Sequence, residues 1–151
     1  MNKSQRGFTI LELLIALSLG TLLTSIGANS MGPVWARTSV SSARNTFMSL
    51  HARGRAEAIE RGQTVRFVIS ATGDSAYVMT PDSTLVESIN FMDKFHVDIA
   101  ATQNTVTLCW TARGYADSDC NSFSSSVEVE FARSGSTSGL DLWPLGKAVP
   151  N

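Results

Sequence analysis

From Leu13 to Ala36 the chain carries no charged residue, and most of the first part of that run is leucine, isoleucine or alanine. About twenty mostly apolar residues suffice to cross some 30 Å of hydrocarbon as a helix. A helix is the expected state there, because lipid offers no partner for an unsatisfied peptide group. Glu12 sits at the start of the run. An ionised carboxylate in lipid costs about 2.5–3.5 kcal/mol on the most lenient insertion scale. A residue placed there needs either a reason or a partner.

The leader Met1-Asn2-Lys3-Ser4-Gln5-Arg6-Gly7 is too short for an ordinary secretory signal, and no small-x-small cleavage site follows the apolar run. Its charges, Lys3 and Arg6, stand directly before Gly7. Cleavage after Gly7 would leave the apolar helix attached, with Phe8 as the new N-terminus. Glu12 would then lie one helical turn from a fresh α-amine, and the same amine on a neighbouring subunit is an equally suitable partner. The alternative is an uncleaved signal anchor. The run Arg6-Gly7-Phe8-Thr9-Ile10-Leu11-Glu12-Leu13-Leu14 resembles the leader and cleavage junction of type IV prepilins and of type II secretion pseudopilins. The resemblance implies cleavage by prepilin peptidase between Gly7 and Phe8, N-methylation of Phe8, and a role for Glu12 in subunit assembly.

Topology follows from charge: Lys3 and Arg6 hold the N-terminus on the cytoplasmic side, so the remainder faces the periplasm. The anchor softens through Gly20, Thr21, Thr24, Ser25 and Gly32 before Pro33. Beyond Arg37, Val40, Ala43, Phe47 and Leu50 recur at helical spacing, and Gly54 and Ala58 continue the stripe with small residues. Glu57 and Arg61 form an i,i+4 pair in the favourable order, and Gly62 is the expected stop. This reading divides the chain into a leader (1–7), a membrane and filament-core helix (8–34), an amphipathic continuation of it (35–62) and a β-rich periplasmic domain (63–151).

In that last part, expected strands cover Val65–Ile69, Ala76–Met79, Thr84–Phe91, Phe95–Ile99, Thr105–Trp110, Val127–Phe131 and Leu140–Trp143, with a turn over Ser134–Gly139. Six or so antiparallel strands on one long helix make an α+β architecture. Ala52-Arg53, Glu57-Ala58-Ile59 and Arg61-Gly62 before the first strand are similar to the helix-to-strand segment of the FimT/GspH family, and the stretch from Phe131 to Leu142 resembles its late hairpin. The resemblance implies a pilin-like fold and a subunit of a secretion pseudopilus or pilus. Its implied partners are other pilins, prepilin peptidase, the inner-membrane assembly platform and inner-membrane lipid.

Twelve basic against thirteen acidic side chains, with two of the basic ones in the leader, leave the mature chain net acidic. That argues against a general nucleic-acid binder. Cys109 and Cys120 are too few for a structural zinc site and enough for one disulfide in an oxidising compartment, with two buried thiols as the alternative. FimT-like chains show a similarly placed pair, which implies a Cys109–Cys120 bridge. Catalysis finds no constellation. His51, in the long helix, and His96, in an expected strand, read as surface or satisfied residues, and Gly135-Ser136-Thr137-Ser138-Gly139 joins two strands and has Thr where a nucleophile elbow has Ser. No cofactor or metal is expected, and the chain reads as a structural protein rather than an enzyme. Arg37, Arg44, Arg53, Arg55, Arg61 and Arg66 lie in a stretch whose only acids are Glu57 and Glu60. A solvated helix face explains them best. The competing uses are inter-subunit pairing in a filament or contact with lipid head groups, and phosphate contact in DNA uptake, for which Arg53, Arg55 and Lys147 are the candidates. Some FimT proteins bind DNA through a basic tail, but the tail here, Pro144 to Asn151, has Lys147 and no arginine.

Overall fold

The computed structural model describes residues 8–151, apart from the side chains of 26–30. In chain order the elements are α1 (Ile10–Arg61), β1 (Val65–Ser70), β2 (Ser75–Met79), β3 (Leu85–Asn90), α2 (Phe91–Phe95), β4 (Asp98–Ala101), β5 (Thr105–Trp110), β6 (Val127–Arg133), β7 (Ser136–Leu142) and β8 (Ala148–Pro150). Contacts divide the chain into two units between Trp35 and Ala36.

In the first unit α1 carries its apolar side chains exposed. Its hydroxyls are satisfied locally. Ser18 donates to the Ile15 carbonyl (2.9 Å), Thr21 to that of Ser18 (2.9 Å), and Thr24 to those of Gly20 and Thr21 (3.0 Å each). Back-bonding of this kind lets Ser and Thr sit in an apolar helix without an unmet donor. Among the described residues no helix is long and apolar enough to cross a membrane. Ile10–Ser25 of α1 covers about 24 Å at 1.5 Å per residue, and the uncharged run that starts at Leu13 continues to Ala36.

In the second unit the expected stripe of α1 is the core face. Ala36, Val40, Ala43, Phe47, Leu50 and Ala58 are all buried. Eight strands form two four-stranded antiparallel sheets, ordered β3-β2-β1-β5 and β4-β6-β7-β8, where six or so strands were expected. Phe47 ties them together. Its ring meets Phe67 of the first sheet at 5.3 Å and Phe131 of the second at 5.5 Å, both edge-on, and Phe91 at 6.4 Å. Strand β6 keeps its clean alternation: Val127, Val129 and Phe131 point inward, Glu128 and Glu130 outward.

Two expectations are corrected. The segment Phe95–Ile99 is not one strand. The Asn90 side chain accepts the Asp93 N–H (2.8 Å) and so caps α2, while His96 ends it in the left-handed region (φ 54°). The strand then begins at Asp98. Phe91 and Phe95, four apart, stack with centroids 6.2 Å apart, so the helical spacing outweighs the alternation from Phe95 to Ile99. The Ser134–Gly139 turn is also tighter than expected. Arg133 pairs with Ser136, which leaves a two-residue loop of Ser134 (φ 47°) and Gly135 (φ 80°). Two consecutive positive φ angles match the twist of a right-handed hairpin.

Candidate assembly site and the surface of the β domain

Glu12 lies in the first turn of α1, where a carboxylate meets the positive end of the helix dipole. Its N–H donates to Thr9 Oγ1 at 3.2 Å, so Thr9 acts as the helix cap. Thr9 and Glu12 together have the Ser/Thr-x-x-Glu spacing of a capping box, a local start signal that the sequence itself carries. The Glu12 side chain has no ion-pair partner among the described residues. Phe8 is 80% exposed beside it. Gly7 and the rest of the leader, including Lys3 and Arg6, lie outside the described residues.

Cys109 and Cys120 are bridged, with Cα atoms 5.8 Å apart. The loop they close lies along the free edge of β5. Asp117 N–H donates to the Cys109 carbonyl (2.9 Å), Cys109 N–H to Asn121 Oδ1 (2.9 Å), and Thr107 N–H to Ser122 Oγ (2.9 Å). An edge strand that would otherwise offer unpaired peptide groups is thereby closed to further strands. Asn121 also donates to the Pro144 carbonyl (2.8 Å), which joins the loop to the C-terminal hairpin of the other sheet.

Four of the six arginines expected as one basic cluster are engaged in separate places. Arg53 pairs with Glu87 at 3.2 Å, Arg61 with Glu57, and Arg44 donates to Ser138 (3.0 Å). Arg55 instead lies over the Trp110 ring, 5.8 Å from its centroid. Gly146 approaches the same ring so closely that a Cβ there would collide with it, and Gly146 is left-handed (φ 81°). Arg55 and the turn bearing Lys147 thus meet at Trp110, while Arg53 is engaged with an acid.

His51 is 8% exposed, which corrects the expectation of a surface or satisfied residue. Its ring packs edge-on against Trp110 and Phe67, and its Nε2 has no hydrogen-bond partner. Burial, and then the Arg55 charge, lower its pKa to about 4. The imidazole is therefore neutral near pH 7 and is enclosed by apolar rings, a packing role. His96 is exposed at the end of α2, not in a strand. Among the described residues no three His, Cys, Asp or Glu side chains gather as a metal-binding group.

Residues 2–28 match the family described as the prokaryotic N-terminal methylation motif. No curated protein matches the chain. Two crystal structures of the Pseudomonas aeruginosa type IV minor pilin FimU share its fold. One has a TM-score of 0.56 at 11% identity, covering 76% of this chain and 90% of that one. The other has 0.53 at 12% identity, covering 74% and 91%. The chain thus joins a prepilin-type N-terminal motif to a pilin-like α+β fold.

Proposed function

We propose that this chain is a minor pilin-like structural subunit of the FimT/GspH kind, built into a type IV pilus or a type II secretion pseudopilus. The observation that supports the reading is the methylation motif, residues 2–28, running into the first turns of α1 of a pilin-like fold. Prepilin peptidase cuts after Gly7, Phe8 becomes the methylated N-terminus, and Glu12 meets the α-amine of a neighbouring subunit. Before assembly the helix from Phe8 onward anchors the chain in the inner membrane with the β domain in the periplasm. Leu13, Ala16, Leu17, Gly20, Thr21 and Thr24 line one shallow groove along α1. Ala16, Gly20 and Thr24 recur every four residues there, the spacing that lets helices approach closely in an apolar medium. The protein's work is then assembly rather than catalysis, and the energy comes from the assembly platform.

Intact-mass measurement of membrane-extracted protein tests the reading: the chain is expected to start at N-methyl-Phe8. Retention of Met1 in cells with active prepilin peptidase sinks it. A second reading, DNA capture during uptake, draws on one feature, the convergence of Arg55 and the Lys147 turn on Trp110. A mobility-shift titration separates the two. Affinity for DNA that weakens steeply with salt and is lost on Arg55→Ala and Lys147→Ala favours uptake.

A further inference from the structure

The solvent face of the β3-β2-β1-β5 sheet holds a hollow of about 430 Å³, lined among others by Arg66, Val68, Tyr77, Met79, Thr107 and Ser122. Register explains the grouping. Arg66 stands between Met79 and Cys109 on the neighbouring strands, and Val68 between Tyr77 and Thr107. Arg66 is the one charged residue of the lining. It is half-buried and has no hydrogen bond or ion pair among the described residues; the nearby loop acids Asp117 and Asp119 do not reach it. A guanidinium held in a shallow bowl, with hydroxyls at its rim and apolar carbon at its floor, suits a carboxylate that arrives from outside.

The other sheet presents the complementary charge. Glu128 and Glu130 project from the outer face of β6, Asp141 lies opposite Glu128 on β7, and Asp98 is exposed on β4. None of the four forms an ion pair among the described residues. Glu130 is exposed, and the residues opposite it, Ala100 on one side and Gly139 on the other, carry no charge. An exposed carboxylate with no partner of its own matches a cation in a hollow.

We propose that the outer face of the β4-β6-β7-β8 sheet of one copy docks on the Arg66 hollow of a second copy, with Glu130 entering it. The inner faces of both sheets pack on Phe47, so the two outer faces are different surfaces of one β domain. The contact is therefore heterologous: each copy keeps one free hollow and one free acidic face, and the arrangement extends rather than closes. This deepens the subunit reading by naming a lateral contact between β domains, and it rests on that reading only for its place in a fibre.

Charge reversal tests it with the full mature chain in detergent micelles, self-association being followed by sedimentation velocity. Arg66→Glu and Glu130→Arg are each expected to raise the dissociation constant about tenfold or more, and raised salt to weaken the wild-type contact. A chain carrying both reversals restores the pair with its charges exchanged and should return to within about threefold of wild type. An unchanged Cys109–Cys120 bridge and thermal midpoint show that each variant is folded. Association indifferent to Arg66→Glu, a double variant no better than the singles, or a chain monomeric throughout would each overturn the contact. The subunit reading is judged separately, by the N-terminal mass, so the two fail independently.

Discussion

Among the described residues of α1, Phe47 is the one whose ring meets aromatic rings of both sheets, and replacing it with alanine should loosen the helix from the β domain. Fully burying a phenylalanine is worth about 2–3 kcal/mol in transfer terms. The edge-on contacts with Phe67 at 5.3 Å and Phe131 at 5.5 Å add about 0.5–1.5 kcal/mol each. The site cannot collapse easily, because a rigid helix and two sheets frame it, so Phe47→Ala should cost about 4 kcal/mol, within the range of buried Phe→Ala changes. For a domain of about 115 residues, unfolding entropy near 2.1 cal/mol/K per residue converts that loss into a fall in thermal midpoint of about 16 °C. Thermal unfolding of the full chain in detergent, followed by near-ultraviolet circular dichroism, reads the shift. Phe47→Leu keeps most of the volume and should cost about 1.5 kcal/mol or less. Ile59, 52% exposed on the same helix, is the control, and its alanine variant should stay within about 0.5 kcal/mol of wild type. A Phe47→Ala midpoint no lower than that of Ile59→Ala would refute the assignment of Phe47 as the link between helix and both sheets.

Three further outcomes follow. Replacing Cys109 and Cys120 by serine should cost about 3 kcal/mol, the loop-closure entropy of a bridge eleven residues apart in sequence, yet leave both sheets formed; denaturant titration showing a loss under about 1 kcal/mol would mean that the loop's hydrogen bonds alone hold it. His51 has a folded pKa near 4 against 6.5 for a free imidazole, so the unfolded chain binds the extra proton first: stability is fully present above pH 6.5 and is lost as pH falls toward 4, by about 3 kcal/mol in all, and His51→Phe should flatten that slope in urea titrations between pH 4 and 7. Glu12→Ala leaves the Thr9 cap in place, since that bond uses the Glu12 backbone N–H, and should therefore spare membrane insertion while impairing incorporation into the fibre; a variant that complements a deletion strain at wild-type level would show Glu12 to be dispensable.

Much of the architecture is legible in the sequence because it is written in local periodicity. The stripe from Val40 to Ala58 needs only a helical period, and Val127–Phe131 needs only alternation. What is not legible is anything set by partners far along the chain. Strand β5 pairs with β1, not with β4 that precedes it, and β4 pairs with β6 in the other sheet. No local pattern states that division, since Val106, Leu108, Val129 and Phe131 are equally apolar. Short α2 is hidden for a different reason. Phe95, Val97 and Ile99 alternate like a strand, and the decisive signal is one hydrogen bond from Asp93 to the Asn90 side chain.

The charged surface shows the same limit more sharply. Composition gathers six arginines between Arg37 and Arg66 and suggests one basic patch, but charge in sequence becomes potential in space only after partners are subtracted. Glu87 takes Arg53 from a strand that follows it by more than thirty residues, Glu57 takes Arg61 from one helical turn away, and the Trp110 face takes Arg55. Only the second of these is readable in advance, because i,i+4 spacing on a helix is a local fact. Arg66 is left over because its strand turns it away from α1, toward a face with no acid on the neighbouring strands. Its unpartnered state is thus a product of the pleat: one residue earlier or later along β1, at Val65 or Phe67, the side chain points into the core. The same two-residue period sets Glu128 and Glu130 outward while Val127, Val129 and Phe131 fill the interior. Burying the apolar half of each strand is therefore what leaves an unneutralised cation on one sheet and unneutralised carboxylates on the other, and a chain built this way carries both halves of a contact that it cannot make with itself.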